Sequence, residues 1–289
     1  MQLIKSVKDF DLKNIFDCGQ CFRWNEEEDG SYTGTAFGRT VNMSFEPDCE
    51  GGCSGRLIID GADEEDFENI WKKYLDLDRD YSFIKETLGN RDEVIKEAIC
   101  KGEGIRLLNQ DNWETLISFI VSQNNNIPRI KKCIEGLCEK FGEELPEYRG
   151  KKRYAFPGYD VLSKVTLEDL ADIKLGYRAE YIIRTAQTVA EDEGRMLYAL
   201  NSMPLKDAYD YLVSLQGVGP KVANCILLFA IEKYESFPID VWMRRVMNYL
   251  YGFPENDMKG MAAFARETYG ENGGFAQQYL FYYMREITL

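Results

Sequence analysis

The sequence contains no histidine among its 289 residues. This absence excludes serine-hydrolase triads, histidine metal sites and acid–base catalysis by imidazole, because each depends on that side chain. Any proton transfer must therefore use lysine, aspartate, glutamate, cysteine or tyrosine. No apolar run approaches about 18 residues, and the N-terminus lacks the apolar segment of a signal peptide, so we expect neither a membrane span nor secretion.

Disulfide-rich secreted domains are excluded as well, although the sequence has eight cysteines. The chain is long enough to bury a core without disulfide bonds. We interpret the thiols as reduced, in an intracellular, cytoplasmic protein that would be nucleoid-associated in a bacterium. The pairs Cys18/Cys21 and Cys49/Cys53 could in principle form a four-cysteine metal site. No cysteine follows Cys225.

The charge balance is acidic and uneven. A net charge of −14 opposes the approach of nucleic acid at long range. Residues 1–110 hold 14 basic against 24 acidic side chains, whereas residues 111–289 hold 21 against 25. Salt screens exposed charges beyond about 8 Å, so local groups decide docking. We expect the acidic runs 26–28 and 63–66 to face away from any DNA, and DNA affinity to fall steeply with salt.

Hydrophobic patterning divides the chain into two parts. Segments rich in β-branched and aromatic residues predict strands over 20–24, 31–37, 39–45 and 56–60. Helical spacing of apolar residues begins near residue 63, and another helix is predicted over 81–100. The chain after about 108 is predicted to be helical, with loops at the Gly/Pro breaks near 142–158, 194–204, 217–220, 236–240 and 252–260. The expected fold class is α+β. A small N-terminal antiparallel sheet with helices covers 1–108, and a mainly α-helical region covers 109–289.

The stretch 212–246 carries the strongest chemical signal. Its Gly-Val-Gly segment, 217–219, is too rich in glycine to stay helical and predicts a hairpin between two helices. The helix that follows is almost entirely apolar, and Lys221 is a single long amine at its start. Asp240 lies nineteen residues later, directly before another helix. A lysine and an aspartate at the starts of two packed helices can share one pocket.

Each of these features also has a purely structural explanation. Such hairpins often only connect helices or bind a DNA phosphate through backbone N–H groups. An aspartate before a helix is usually an N-cap, and a lysine near a turn is usually solvated. The combination of hairpin, lysine and downstream Pro-x-Asp favours a catalytic site over binding alone.

The sequences LQGVGPKVANCILLF and FPIDVWMRRV resemble the helix-hairpin-helix-Gly/Pro…Asp motif of base-excision DNA glycosylases. Lys221 makes the chain similar to the 8-oxoguanine DNA glycosylase branch. The resemblance implies two helical subdomains, one from 109–129 and 220–289 and the other from 130–219. It also implies a monomer that excises 8-oxoguanine opposite cytosine from double-stranded DNA, nicks the strand as an abasic-site lyase in base excision repair, and has no membrane partner.

The resemblance assigns the chemistry to two residues. Lys221 would attack C1′ of the flipped nucleotide as a neutral amine and form a Schiff base. We expect burial and the positive end of its own helix to lower its pKa for this purpose. Asp240 would stabilise the developing oxocarbenium character, as carboxylates do in glycoside cleavage.

Two segments at opposite ends of the chain resemble the base pocket of that branch. In Gly-Gln-x-Phe-Arg-Trp, the carbonyl of Gly19 would accept the N7–H that 8-oxoguanine has and guanine lacks. Gln277 would bond the Watson–Crick edge of the base, while Phe281 and Cys225 would contact its two faces. The first cysteine pair then flanks Gly19, which argues against its binding a metal.

Two further segments resemble the elements that contact the opposite base. Asn124 and Arg129 would reach the unpaired cytosine, whose Watson–Crick edge suits amide and guanidinium donors. Tyr177 would wedge into the base stack, and Arg178 would contact the cytosine from the other side. The alternative for each segment is a helix cap or ordinary core packing.

The hairpin would hold a DNA phosphate on the backbone of Gly217, Val218 and Gly219. The resemblance also implies a structural cation on the carbonyls of Val213, Leu215 and Val218. No cofactor is expected to be required for catalysis, and the iron–sulfur loop of some relatives is expected to be absent.

The sequence departs from the common eukaryotic pattern at three positions. Trp242 stands where a phosphate-contacting histidine is common, Asn224 where an acid is common, and Phe229 where methionine is common. Two alternative functions remain open. One is a glycosylase for another damaged base that uses only Asp240 and water, and the other is a non-enzymatic DNA-binding module.

Overall fold

The computed structural model describes residues 2–288, which begin with a five-stranded antiparallel sheet. Its strands lie in the order β1-β5-β4-β3-β2. Their bounds are Gln2–Val7 for β1, Trp24–Glu26 for β2, Tyr32–Ala36 for β3, Arg39–Pro47 for β4 and Gly55–Asp60 for β5. The predicted strand over 20–24 was wrong except for Trp24, and β1 was not predicted.

One α-helix lies between β1 and β2, and the remaining helices follow β5. Their bounds are α1 Leu12–Phe16, α2 Glu64–Asp66, α3 Lys72–Tyr74, α4 Tyr81–Gly89, α5 Glu93–Lys101, α6 Asn112–Ser122, α7 Ile127–Phe141, α8 Tyr159–Leu162, α9 Arg178–Glu191, α10 Arg195–Ala199, α11 Leu205–Ser214, α12 Pro220–Phe229, α13 Val241–Tyr251, α14 Met258–Tyr269 and α15 Gly273–Thr288. A π-helical segment, Phe67–Trp71, joins α2 to α3. The single helix predicted over 81–100 is two helices, because the Asp92 side chain caps α5 by accepting from the Val94 N–H at 2.9 Å.

A second, two-stranded sheet interrupts the helical region. Strands β6 (Glu144–Tyr148) and β7 (Lys151–Tyr154) pair antiparallel within the segment 142–158, where the sequence predicted a loop and no strands. Arg149 and Gly150 have φ of +51° and +71°, which suits a tight hairpin turn. Arg149 also donates to the Asn42 side chain at 2.9 Å and thereby attaches the hairpin to β4.

Two hydrophobic cores form, one under the sheet and one among the helices. The first contains stacked aromatic rings, including Phe16 and Trp24 with centroids 4.0 Å apart. The second includes residues of α4 and α5 together with the helices that follow α6. Helix α15 packs against α5 and so brings the end of the chain to its N-terminal part. The predicted α+β fold class is confirmed. No helix within residues 2–288 is long and apolar enough to cross a membrane.

The close approach of Trp24 to Gly34 gives a test of this packing. A Cβ at residue 34 would lie 2.2 Å from the indole ring, which is fully buried beneath it. We expect Gly34→Ala to destabilise the protein by about 1–3 kcal/mol, because overpacking displaces the ring or the strand. Urea unfolding measures this change. Gly89→Ala, where the added methyl meets only Lys96 at 3.5 Å, should change the stability by less than about 1 kcal/mol; equal effects would contradict the packing argument.

Candidate functional site

The hairpin between α11 and α12 is constrained by an aromatic ring. Gly217 has φ of +81°, and a Cβ there would lie 2.5 Å from the ring of Tyr181. Glycine is therefore required for both conformation and space. At the next glycine, Gly219, no atom lies within 4 Å of an added Cβ, so the surface beside the start of α12 is open. A phosphate could approach the free N–H groups at this helix N-terminus.

Lys221 lies in the first turn of α12 and faces a cavity. Its Nζ lies 5.3 Å from the centroid of the Phe119 ring, which supports the amine from below. The cavity has a volume of about 760 Å³ and is lined by Lys221, Asp240, the Gln123–Asn125 segment and Trp242. Its size suits a purine nucleoside and its surrounding backbone. The two predicted catalytic residues therefore share one cavity.

Asp240 is the N-cap of α13 and also lines this cavity. Its Oδ1 accepts the N–H of Met243 at 2.8 Å, which fixes the carboxylate at the start of the helix. Asp240 is therefore a helix cap, as in the structural explanation, and at the same time it lines the cavity that contains Lys221, as in the functional one. Its charge acts on Lys221, whose pKa it raises.

The expected downward shift of the pKa of Lys221 is wrong for the free protein. Burial lowers this pKa, but the neighbouring Cys225 thiol and the Asp240 carboxylate raise it, and the net shift is upward. Burial raises the pKa of Cys225, although the neighbouring ammonium of Lys221 acts in the opposite direction. In the free protein, Lys221 is therefore protonated.

The proposed base pocket joins the two ends of the chain. Gly19 has φ of +87°, and a Cβ there would lie 3.8 Å from Cε1 of Phe281 on α15. Gln277, one turn before Phe281, is buried, and its side-chain oxygen has no hydrogen-bond partner among residues 2–288. A buried, unpaired amide oxygen is costly unless a ligand bonds it. Cys225 is buried on α12, one turn beyond Lys221.

The segments predicted to contact the opposite base meet at one exposed surface. Asn124 has φ of +46°, and its side-chain amide donates to the Tyr177 hydroxyl at 3.3 Å. Arg129 donates to the Lys174 carbonyl at 3.0 Å, and about half of Tyr177 is exposed. Asn126 caps α7 by accepting from the Arg129 N–H at 3.1 Å. Asn126 is therefore a helix N-cap.

Arg178 has a different position from the one expected of a residue that contacts cytosine. Its side chain is 4% exposed, and its guanidinium donates to the carbonyls of Gln123, Asn124 and Leu175. These bonds occupy donors that a base would need. In the free protein, Arg178 holds the Gln123–Asn125 segment against the start of α9, and it would contact cytosine only by leaving these carbonyls.

The three departures from the eukaryotic pattern are accommodated locally. Asn224 donates to the Pro220 carbonyl at 2.8 Å, and Phe229 stacks on Phe119 with centroids 5.6 Å apart. The Trp242 ring packs edge-on against the Phe281 ring, with ring centroids 6.4 Å apart. The buried indole N–H of Trp242 has no partner within the described structure.

The predicted cation ligands lie where α11 ends. The carbonyl of Val213 belongs to the last turn, where carbonyls lack partners within the helix, and the carbonyl of Leu215 accepts the Val218 N–H at 3.1 Å. Carbonyl oxygens at such a turn fit a hard cation. Within residues 2–288, no three cysteine, aspartate or glutamate side chains are close enough to hold a metal ion.

Two positioning side chains were not predicted from the sequence. Gln123 donates from its side chain to the Gly217 carbonyl at 2.9 Å and so attaches the asparagine-rich segment to the hairpin. Gln20 is fully buried; it donates to the carbonyls of Ile15 and Arg106 and accepts the Leu108 N–H at 2.9 Å. The only signal for Gln20 was its place beside Gly19 in the recognised motif.

Residues 117–270 match the family of HhH-GPD superfamily base excision DNA repair proteins, and residues 2–116 match the N-terminal domain of 8-oxoguanine DNA glycosylase. The fold and the lysine–aspartate cavity thus define a helix-hairpin-helix DNA glycosylase. A probable N-glycosylase/DNA lyase of Methanothermobacter thermautotrophicus is 32% identical over 98% of this chain and 96% of its own. The chain therefore belongs to the 8-oxoguanine DNA glycosylase family, and the resemblance inferred from the sequence is confirmed.

The fold is similar to that of solved 8-oxoguanine glycosylase structures over the whole length of the chain. The 8-oxoguanine glycosylase/lyase of Clostridium acetobutylicum, bound to double-stranded DNA with cytosine opposite 8-oxoguanine, is 43% identical with a TM-score of 0.91, covering 100% of this chain and 99% of the other. The N-glycosylase/DNA lyase of Saccharomyces cerevisiae is 32% identical over 85% of this chain and 69% of its own.

The electrostatic pairing of Lys221 with Asp240 can be tested without DNA. The carboxylate is one of the groups that raise the pKa of Lys221, so Asp240→Asn should lower that pKa. Reductive ¹³C-methylation of lysines followed by NMR titration measures it directly. Asp257→Asn, which removes the N-cap carboxylate of α14, is the matched control and should leave the pKa of Lys221 unchanged. An unaltered pKa in Asp240→Asn would show that the carboxylate does not act on the amine.

Proposed function

We propose that this chain excises 8-oxoguanine opposite cytosine from duplex DNA and then nicks the strand through a Schiff base on Lys221. The enzyme class, a DNA N-glycosylase with lyase activity in base excision repair, follows from the family, whose members are named N-glycosylase/DNA lyase. The observation that carries the proposal for this chain is the shared cavity of Lys221 and Asp240. Gly19 and Phe281, from opposite ends of the sequence, are also brought near each other, since a Cβ added at Gly19 would lie 3.8 Å from the Phe281 ring.

The chemical step begins with the amine of Lys221. Its lone pair attacks C1′ of the extruded nucleotide, the N-glycosidic bond breaks, and the purine leaves with the bonding electrons and accepts a proton. Asp240 stabilises the positive character that develops at C1′ and the ring oxygen. The amine then loses a proton and the sugar opens to a Schiff base. Removal of a C2′ proton expels the 3′ phosphate and nicks the strand.

The ammonium of the free protein must lose its proton before attack. Burial is the largest influence on the pKa of Lys221, and it acts downward. A nucleotide that fills the cavity expels the remaining water and strengthens this influence. The neutral amine thus belongs to the DNA complex and not to the free protein, which limits premature reaction of the nucleophile.

Local basic groups make binding compatible with an acidic chain. Arg244 and Arg245 line the same cavity as Lys221, and the open N-terminus of α12 lies beside them. Arg129 and Tyr177 contribute donors and an aromatic wedge at the neighbouring exposed surface. We propose that the DNA duplex lies across these groups. The protein would bind the duplex as a monomer. The cation on Val213, Leu215 and Val218 would be structural, and no cofactor would take part in the reaction.

Borohydride trapping tests the nucleophile. It should cross-link the protein to duplex DNA containing 8-oxoguanine, because reduction converts a Schiff base into a stable amine. Lys221→Gln should abolish the adduct while retaining DNA binding in a gel-shift assay. Lys206→Gln, a change at an exposed lysine on α11, should trap DNA as the unmodified protein does. A persistent adduct in Lys221→Gln would assign the nucleophile to another residue.

Discrimination of the opposite base tests the exposed surface. Arg129→Ala should reduce the preference for cytosine over the other three bases, since one bidentate contact contributes about 1–3 kcal/mol of discrimination. Single-turnover excision of 8-oxoguanine opposite each of the four bases measures the preference. Arg184→Ala, on the exposed side of α9, should leave it unaltered. The same preference in Arg129→Ala would remove this residue from the recognition surface.

A further inference from the structure

Helix α15 carries two successive glutamines whose side chains have different partners. The buried side-chain oxygen of Gln277, a residue assigned to the proposed base pocket, has no partner in the described part of the chain. The next residue, Gln278, is 2% exposed, and its side-chain amide donates to the Cys18 carbonyl at 2.9 Å. One short segment of α15 therefore contributes to the pocket and also fastens the loop that carries Gly19.

The carbonyls around Gly19 are individually held. The Asp17 carbonyl accepts from Arg285 Nη1 at 2.6 Å, the Cys18 carbonyl accepts from Gln278, and the Gln20 carbonyl accepts from Gln110 Nε2 at 2.7 Å. Between them, the Gly19 carbonyl accepts no hydrogen bond from any residue in 2–288. The loop thus leaves one carbonyl available and fixes its neighbours on both sides.

We propose that Gln278 and Arg285 are positioning residues for base selection, acting through the loop 17–19. They attach the Gly19 carbonyl to the same helix that carries Gln277 and Phe281, so that all three move as one unit. This inference rests on the proposed function, because it concerns how the pocket distinguishes 8-oxoguanine from guanine.

The fixed geometry matters because the two bases differ at very few atoms. A carbonyl at hydrogen-bond distance from N7 gains from the N7–H of 8-oxoguanine and is repelled by the N7 lone pair of guanine. Both the attraction to 8-oxoguanine and the repulsion of guanine weaken when the carbonyl moves by about 0.5 Å. Gln20 anchors the loop to the N-terminal part only, since its side-chain partners are backbone groups of residues 15, 106 and 108. The hydrogen bonds from Gln278 and Arg285 on α15 fix the position of the loop relative to the proposed base pocket.

The inference can be tested by comparing two activities of the same variant, the excision of 8-oxoguanine and the nicking of an abasic site. Gln278→Met keeps the length of the side chain and removes the donor. The rate of 8-oxoguanine excision should fall about tenfold or more, and the ratio of excision over guanine should fall with it, because small misplacements at a reacting site have effects of up to about 100-fold. Nicking of a preformed abasic site, which leaves the base pocket empty, should stay within about twofold of the unmodified protein.

Arg285→Met should shift the same ratio in the same direction, because it frees the adjacent Asp17 carbonyl. Asn112→Leu is the matched control: it removes a buried amide that donates to the Leu197 carbonyl at 3.0 Å, away from the loop, and should change both activities equally. Equal losses of excision and nicking in both α15 variants, or unchanged selectivity, would overturn the inference. If the unmodified protein fails to excise 8-oxoguanine, the proposed function itself fails, which is a distinct result.

Discussion

The burial of one amine beside one carboxylate is the constraint on which the rest of the site depends. The proposed chemistry requires Lys221 to be close enough to the apolar core to lose its proton when DNA binds, and close enough to the surface to meet a sugar. The first turn of α12 satisfies both needs, because the helix behind it is buried while Gly219 before it is open. Tyr181 and Gly217 fix the hairpin that delivers the helix to this position.

Part of this arrangement was predictable from local sequence. The glycine hairpin, the apolar helix after Lys221 and the position of Asp240 before α13 are signals within thirty-five residues, and each reflects a backbone or capping preference. Asn126 as an N-cap belongs to the same class. Strand β1 and the β6–β7 hairpin were missed, because their stability comes from pairing and docking with distant residues such as Asn42 and not from local pattern.

The sign of the pKa shift and the position of Arg178 could not be obtained from sequence. The pKa of Lys221 depends on a balance between burial and two neighbours, one of which lies on another helix. Arg178 precedes a helix in the recognised motif, but its guanidinium satisfies three backbone carbonyls that only the folded chain brings together. Motifs identify which residues meet, whereas the direction of an electrostatic effect requires knowing all charges and their burial.

The two proposed recognition surfaces differ in burial, and this difference suits what each would recognise. The proposed base-recognition residues are buried side chains of α12 and α15 and a loop bonded on both sides of Gly19, an arrangement that would suit discrimination by one hydrogen atom. The opposite-base surface consists of exposed side chains, with Asn124 in a left-handed conformation held through its carbonyl by Arg178. Such a surface can rearrange when a base pair opens, and Arg178 becomes available to DNA only if the asparagine segment moves. Opening of the pair and release of this guanidinium would then be one coupled event, in which DNA contacts replace the carbonyl bonds that the free protein makes.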